Sequence, residues 1–500
     1  MNILYLCADR GIPIRGHKGA AVHVRALTDA FVRAGQRVTI LTPRVGPSDG
    51  CAPLAELIHI PLPEMNLPDD ARVRQAQAQA YADVLYPAAR DLLARQSFDF
   101  IYERYSLWSN VGARLARATR LPLVLEVNAP LRQEFAAYRQ IHDTARAAQI
   151  EAEQFTQANA ISVVSEPLRE YVVQRGALEE RVYVLPNAVD PTHFHPAVRG
   201  ESVRQRYAWH DRIVIGFVGK PRPWHDLETL CAAFVELHAS DARYHLLLVG
   251  DMPMPPAIEQ YGLQDAVTLT GPVAHEVVPA HIAACDVVVA PHPALADFYF
   301  SPLKLFEYLA CGVPTVAANI GQPAAVVREG ETGFLYPPGD AHALAERIRQ
   351  IIAAPDRARA VAWNGAAYVL AQHTWDKNAR AVVDWLAPQP YRRSTGTSLR
   401  PTSNVQPPDV PPERLYVQRP TSRRSTGTSL RPTSNLPTGT SLRPTSNLQT
   451  FHRNVSTSNL QRPTSNVQPP TPHLRCQTAP APVLRDARRP RDRTARTAFV

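Results

Sequence analysis

The stretch Ser301-Pro-Leu-Lys-Leu-Phe-Glu-Tyr-Leu-Ala-Cys-Gly-Val-Pro314 reads as a complete short helix with a charged entrance. Ser301 suits the N-cap, and Pro302 suits the first helical position, where its missing N–H costs nothing. Leu303, Phe306 and Leu309 then recur at helical spacing, and Gly312 with Pro314 supplies the stop. Lys304 stands in the first turn, where the helix dipole is already positive. A cation there is disfavoured unless an anion binds at that helix end. Glu307 lies one turn deeper on the same side, placed to accept hydrogen bonds from whatever carries the anion. The competing reading is a solvated Lys304–Glu307 ion pair on a surface helix.

Outward from this segment the chain alternates short apolar runs with helical segments. Ile3–Leu6, Val38–Leu41, Leu57–Ile60, Phe100–Tyr102, Leu123–Glu126, Ala160–Val164 and Val182–Leu185 read as one set of strands. Ile213–Val218, His245–Val249, Val267–Leu269, Val287–Val289, Thr315–Ala317 and Gly333–Tyr336 form a second. Most are apolar on both faces, as strands inside helix-covered parallel sheets are. Helix Ala20–Ala34 is closed by Gly35, and the last helices run over about Ala341–Ala354 and Arg357–Leu386, before Pro388 and Pro390. The fold expected is α/β, with two doubly wound Rossmann-like domains facing across a cleft. The expected divisions are an N-terminal domain over 1–195, a C-terminal domain over 206–370, a closing helical region over 371–390 and a low-complexity tail over 391–500.

That tail changes the meaning of the overall charge. The chain carries a formal +9, yet residues 391–500 hold 18 Arg, no Lys and four acids, which leaves residues 1–390 slightly acidic. An acidic body does not point to a nucleic-acid partner, so its basic residues act locally. Arg392–Asn404 recurs identically from Arg423, in a Pro-, Thr-, Ser- and Arg-rich context that cannot bury enough apolar surface to fold. The tail is expected to be disordered. It is either a basic arm for acidic membranes or RNA, or, as composition favours, the translation of a simple DNA repeat without a selected role.

Six scattered cysteines form no metal or disulfide pattern; Cys7, Cys231, Cys285 and Cys311 sit in apolar runs as small core residues. Met1–Arg10 reads as a first strand rather than a signal peptide, and no apolar run approaches the ~18 residues of a membrane span. The expected location is cytoplasmic, with peripheral attachment at the inner face of the membrane left open.

Three groups of residues face the expected cleft. Gly11-Ile-Pro-Ile-Arg-Gly16-His-Lys-Gly19 separates the first strand from its helix, and Gly16 and Gly19 would let a ligand approach the backbone. Gly216-Phe-Val-Gly219-Lys220-Pro-Arg222-Pro-Trp224-His225-Asp226 ends a strand in Gly219 and at once offers Lys220, Arg222 and His225, natural partners for a diphosphate. A solvated basic turn is the alternative. His23, Glu126, Asn128 and Asn187 stand at strand ends or helix starts. Singly each suits a cap or a backbone hydrogen bond; together they would suit a hydroxyl-bearing acceptor.

Taken in order, these segments resemble the retaining glycosyltransferases of family 4, which have the two-domain GT-B fold. The resemblance runs from Met1 to about Leu386. It is carried by Lys18-Gly-Ala-Ala-Val-His-Val-Arg25, Tyr102-Glu-Arg-Tyr105, Leu125-Glu-Val-Asn-Ala-Pro130, Val164-Ser-Glu-Pro-Leu168 and Leu185-Pro-Asn-Ala-Val-Asp190. Gly216–His225, Phe300–Tyr308 and Gly330-Glu-Thr-Gly-Phe334 complete it. The resemblance implies a C-terminal domain that holds a UDP- or GDP-sugar and an N-terminal domain that holds a glycan or lipid-linked acceptor, with no metal, no cofactor and no specific nucleic acid. Lys220 and His225 fall where the family contacts the donor diphosphate with Arg and Lys, and Asp226 replaces the Gly that usually follows. Glu307 matches the second Glu of the family's E-x7-E pattern, which holds the ribose; the first would fall at Tyr299. Asn128 lies where many members have His.

The roles so implied are charge stabilisation by Lys220 and His225, ribose binding by Glu307, and donor contacts from Gly219, Arg222, Ser301, Leu303 and Lys304. A charged His225 would make transfer weaken as pH rises through its pKa. The activity implied is hexose transfer with retention of configuration. A catalytically weak or inactive nucleotide-binding homologue, a nucleotide-sugar epimerase, a phosphorylase and a two-domain sugar-binding protein are the alternatives.

Overall fold

A computed structural model describes residues 1–48, 50–62, 70–138 and 140–386. The tail expected to be disordered lies outside them. Seven parallel strands form the first sheet: β1 Asn2–Cys7, β2 Arg37–Thr42, β3 Glu56–His59, β4 Phe100–Arg104, β5 Leu123–Val127, β6 Ala160–Val163 and β7 Val182–Val184. Six form the second: β8 Ile213–Val218, β9 Tyr244–Val249, β10 Val267–Leu269, β11 Val287–Ala290, β12 Thr315–Ala318 and β13 Phe334–Tyr336. Every run of sequence expected to be a strand is one.

The strand order is β3-β2-β1-β4-β5-β6-β7 in the first sheet and β10-β9-β8-β11-β12-β13 in the second. In each, the order reverses beside the first strand: Leu4 pairs with Thr39 on one side and Ile101 on the other, and Ile215 pairs with Leu246 and Val287. At such a reversal the loops leaving neighbouring strands diverge and open a crevice at the carboxyl ends. The second crevice is therefore bounded by the loop after β8, which carries Gly219–Asp226, and the loop after β11, which leads to Ser301.

Both faces of each sheet are covered. Helix Gly19–Arg33 buries Val24, Leu27 and Phe31 against Ile3, Tyr5 and Ile40. Helix Leu303–Ala310 buries Leu305, Phe306 and Leu309 against Val288 and Ala317. Cys7, Cys231, Cys285 and Cys311 are buried free thiols, as expected of small core residues.

Three expectations about helix ends are corrected. The first helix starts at Gly19, with Lys18 as its cap. The span Arg357–Leu386 divides into Pro355–Gln372 and Trp375–Leu386. Between them Thr374 makes a parallel bridge to Val189, and the amide N–H of Val189 donates to the His373 carbonyl at 3.0 Å. Trp375, Ala379 and Val382 then pack into the core beneath the first sheet. A chain that must cross from one sheet to the other cannot keep a straight helix. Finally, Ser301 does not cap its helix: Pro302 holds the N-cap position, and the Ser301 hydroxyl is turned toward Asn187.

Candidate functional site

Lys304 is the most informative side chain in the crevice. Its residue is only 8% exposed, and its Nζ has no hydrogen-bond partner. The ammonium lies 3.9 Å from the centre of the Phe217 ring, an attraction that offsets part of its desolvation. Burial pushes its pKa down to about 7, against a weaker opposing pull from Glu307. The expected alternative, a solvated Lys304–Glu307 pair, is absent, because both residues are buried and Glu307 faces elsewhere.

Lys304 points at Gly219. A β-carbon added there would stand 3.0 Å from the Lys304 Nζ, and Gly219 has φ +133°, a conformation that side-chain-bearing residues rarely adopt. Strand β8 thus ends in a backbone bend that presents no side chain to a buried, unpartnered cation. A phosphate oxygen would supply the missing partner, with the start of helix Leu303–Ala310 contributing its positive end.

Lys220 follows on the same loop but faces outward, with its Nζ 2.7 Å from Asp251 Oδ2 and both side chains more than half exposed. Such a pair contributes little and is readily exchanged for a better anion. Arg222 is exposed beside it. Asp226 adopts φ +40°, which explains why the related pattern has Gly there; its Oδ1 accepts from the Thr229 N–H and caps the following helix.

His225 does not carry the charge expected of it. Its Nδ1 donates to the Lys220 carbonyl at 2.8 Å, and burial, Lys304 and His292 push its pKa down to about 2. The ring is neutral at physiological pH, so the expected loss of activity as His225 deprotonates is withdrawn. Behind it stands His292, at the carboxyl end of β11, whose Nδ1 donates to the Trp224 carbonyl at 2.7 Å.

Glu307 meets a residue that the sequence reading missed. Its Oε1 lies 2.9 Å from His275 Nε2. Burial disfavours charge on His275, but the carboxylate more than offsets this, and the His275 pKa is raised. Tyr299, at the position of the missing first Glu, turns its hydroxyl across the crevice to Glu134 on helix Leu131–Tyr138, and its carbonyl accepts from Ser165 Oγ at 2.7 Å.

The polar residues of the first sheet converge as a group. Glu126 and Arg104 are register partners on β5 and β4 and form a buried ion pair. Glu126 also accepts from the Tyr102 hydroxyl at 2.9 Å and from the Asn128 amide, and His23 Nε2 lies 3.1 Å from its Oε1. Burial opposes ionisation of Glu126, yet His23 and Arg104 hold its carboxyl well below the usual carboxylate range. Asn187 reaches the other ring nitrogen of His23 and, from the opposite side, Ser301.

The glycines of the first loop divide. Gly19 faces Leu303, whose Cδ1 would lie 3.5 Å from an added β-carbon. Gly16 instead serves the loop itself: an added β-carbon would clash with Pro13 at 2.8 Å, and the Gly16 carbonyl accepts from Arg25 Nη1 at 2.6 Å. Among the described residues no group of three or more His, Cys, Asp or Glu is placed to hold a metal ion.

Residues 17–193 match the family described as Glycosyltransferase Family 4, and residues 212–354 match Glycosyl transferases group 1. The chain belongs to the family 4 glycosyltransferases of GT-B fold. It is 30% identical over 211 residues to a GDP-mannose-dependent alpha-(1-6)-phosphatidylinositol monomannoside mannosyltransferase of Mycobacterium tuberculosis. That match covers 40% of this chain and 54% of the relative, so the chain spans about half the length of that curated protein. It is 26% identical over 327 residues to a D-inositol 3-phosphate glycosyltransferase of Geodermatophilus obscurus, covering 61% of this chain and 71% of the relative. Among solved structures, sucrose-phosphate synthase from Thermosynechococcus elongatus superposes with a TM-score of 0.60 at 23% identity, over 77% of this chain and 97% of that one. Anabaena HepE, in complex with UDP and glucose, gives 0.58 at 21% identity over 77% and 98%. These two likenesses establish the fold.

No helix among the described residues is long and apolar enough to cross a membrane. Signals for the missed residues lay in the sequence: His292 directly follows a strand in Ala290-Pro-His-Pro293, and Arg104 sits inside the Tyr102–Tyr105 motif. His275 and Glu134 had no local mark.

Proposed function

We propose that this glycosyltransferase moves a hexose from a UDP- or GDP-sugar to a glycan or lipid-linked acceptor, with retention of anomeric configuration. The observation that carries the reading is the unpartnered Lys304 ammonium facing Gly219, a buried positive charge whose missing partner a phosphate oxygen would supply. Relatives named for a GDP-mannose donor and a fold neighbour holding UDP and glucose support the same class of donor.

In this reading the sugar C1–O bond to the diphosphate breaks, and a bond forms from C1 to an acceptor hydroxyl on the same face. The acceptor proton passes to the departing phosphate oxygen, so no protein nucleophile is needed. Lys304, the Leu303–Ala310 helix start and Lys220, freed from Asp251, meet the developing charge on the nucleoside diphosphate, with no metal or cofactor required. Glu307 holds the ribose, braced by His275, while Arg222 lies at the mouth. The neutral His225 positions the Lys220 carbonyl rather than supplying charge. Glu126, Asn128 and Gly19 form the acceptor side. The acceptor would be drawn from the cytoplasmic side, at or near a membrane surface.

The test is nucleotide release by the full chain across a panel of UDP- and GDP-sugars, beside a chain ending at Leu386. Release with one donor, and an NMR spectrum showing the donor's own anomeric configuration in the product, is the expected result. Interconversion of donors without an acceptor would favour an epimerase, and nucleotide binding without release would leave a nucleotide-binding protein.

A further inference from the structure

His23 is buried between two hydrogen-bond acceptors. Its Nε2 lies 3.1 Å from the ionised Glu126 carboxylate, and its Nδ1 lies 2.8 Å from Asn187 Oδ1. The orientation of the Asn187 amide is fixed by its other end, because Nδ2 donates to the Ser301 carbonyl. Turning the amide over would bring its oxygen against that carbonyl, setting two acceptors face to face. Each ring nitrogen of His23 therefore faces an acceptor. The charged groups facing the ring are Glu126 and, behind it, Arg104; the third side is closed by the edge of Trp375, 4.7 Å away between ring centres.

Asn187 grips Ser301 twice, since its backbone N–H also donates to Ser301 Oγ at 3.0 Å. Ser301 precedes Lys304 by three residues, at the entrance of the helix that faces Gly219. We propose that His23 is held as the imidazolium cation and, through Asn187, positions the Ser301–Lys304 segment: a proton-dependent pin joining the first sheet to the nucleotide side of the crevice. His23 is then a positioning residue rather than part of the acceptor site.

Loss of the Nδ1 proton would leave two lone pairs facing each other between His23 and Asn187. The amide can relieve this only by turning over, which breaks its side-chain bond to Ser301. Grip on the donor segment is thus strongest while the ring is charged.

The effect on nucleotide affinity rests on the proposed function; the charge on the ring does not. In the full chain labelled with 15N-histidine, and with the signal identified by its loss in His23→Gln, the His23 ring is expected to show two protonated nitrogens at neutral pH. One bare nitrogen overturns the pin. Asn187→Asp keeps an acceptor toward His23, but its side chain cannot donate to the Ser301 carbonyl. Only the side-chain bond to the Ser301 carbonyl is lost, since the backbone bond to Ser301 Oγ remains, and binding of UDP or GDP, whichever the unaltered chain takes up, should weaken about tenfold, the factor that about 1.4 kcal/mol represents. Unchanged affinity in a variant with an unchanged melting curve overturns the positioning role. Should the unaltered chain bind neither nucleotide, the donor reading fails, and the ring spectrum still decides the pin.

Discussion

Replacing Lys304 with methionine should make the chain more stable and less able to bind nucleotide. The folded protein lowers this lysine from its ordinary 10.5 to about 7, a difference worth roughly 5 kcal/mol. The sign follows from proton counts. Below the folded value both states hold the proton, and the native state bears the whole cost of burying it. Between about 7 and 10.5 only the unfolded chain is protonated, so the cost shrinks as pH rises. Contact with the Phe217 ring recovers about 1–2 kcal/mol of that cost. Lys304→Met, which fills a similar volume without charge, should therefore gain about 3 kcal/mol near pH 6 and progressively less near pH 9. Urea unfolding of both chains at the two pH values reads this directly. Calorimetric titration with UDP and GDP should show binding to the unaltered chain that weakens as pH climbs and the ammonium is lost, and little binding to the variant. A destabilised variant, or one that keeps its nucleotide affinity, would refute the idea that stability is sacrificed here for an anion site.

Lys220→Ala should lower turnover about 10²–10³-fold through loss of charge stabilisation, while its exposed pair with Asp251 predicts a change of no more than about 1 kcal/mol in chemical denaturation. Gly219→Ala should cost about 1–3 kcal/mol from backbone strain at φ +133°, and its added methyl, 3.0 Å from Lys304 Nζ, should abolish donor binding in the same titration. The raised pKa of His275 means that its pair with Glu307 stabilises the fold fully below the ordinary histidine value and loses that contribution as pH rises through the folded one. His275→Gln should therefore narrow the difference in denaturation midpoint between mildly acidic and alkaline buffers; an identical pH profile would contradict the pairing.

The fold was legible because its strands are apolar on both faces, so each announced itself without help from its neighbours. The break at His373–Thr374 was not, since its cause is a bridge to Val189, far away in sequence. The same division holds in the crevice. Lys304 looked misplaced for a first-turn residue, but its burial without a hydrogen-bond partner had no local mark and came from the packing around Phe217. His225 looked cationic by the same local logic, but burial, with Lys304 and His292 brought beside it by the fold, holds it neutral. His275 became visible only when the loop after β10 placed it on Glu307. Local charge patterns marked where chemistry gathers; protonation states depended on partners supplied by the topology.

The central claim is that Lys304 and the bend at Gly219 hold a nucleoside diphosphate. A crystal structure of the chain with UDP or GDP tests it most directly. A phosphate oxygen within hydrogen-bond distance of Lys304 Nζ, seated over Gly219, is the expected result; nucleotide bound elsewhere while that ammonium stays unpartnered would contradict it.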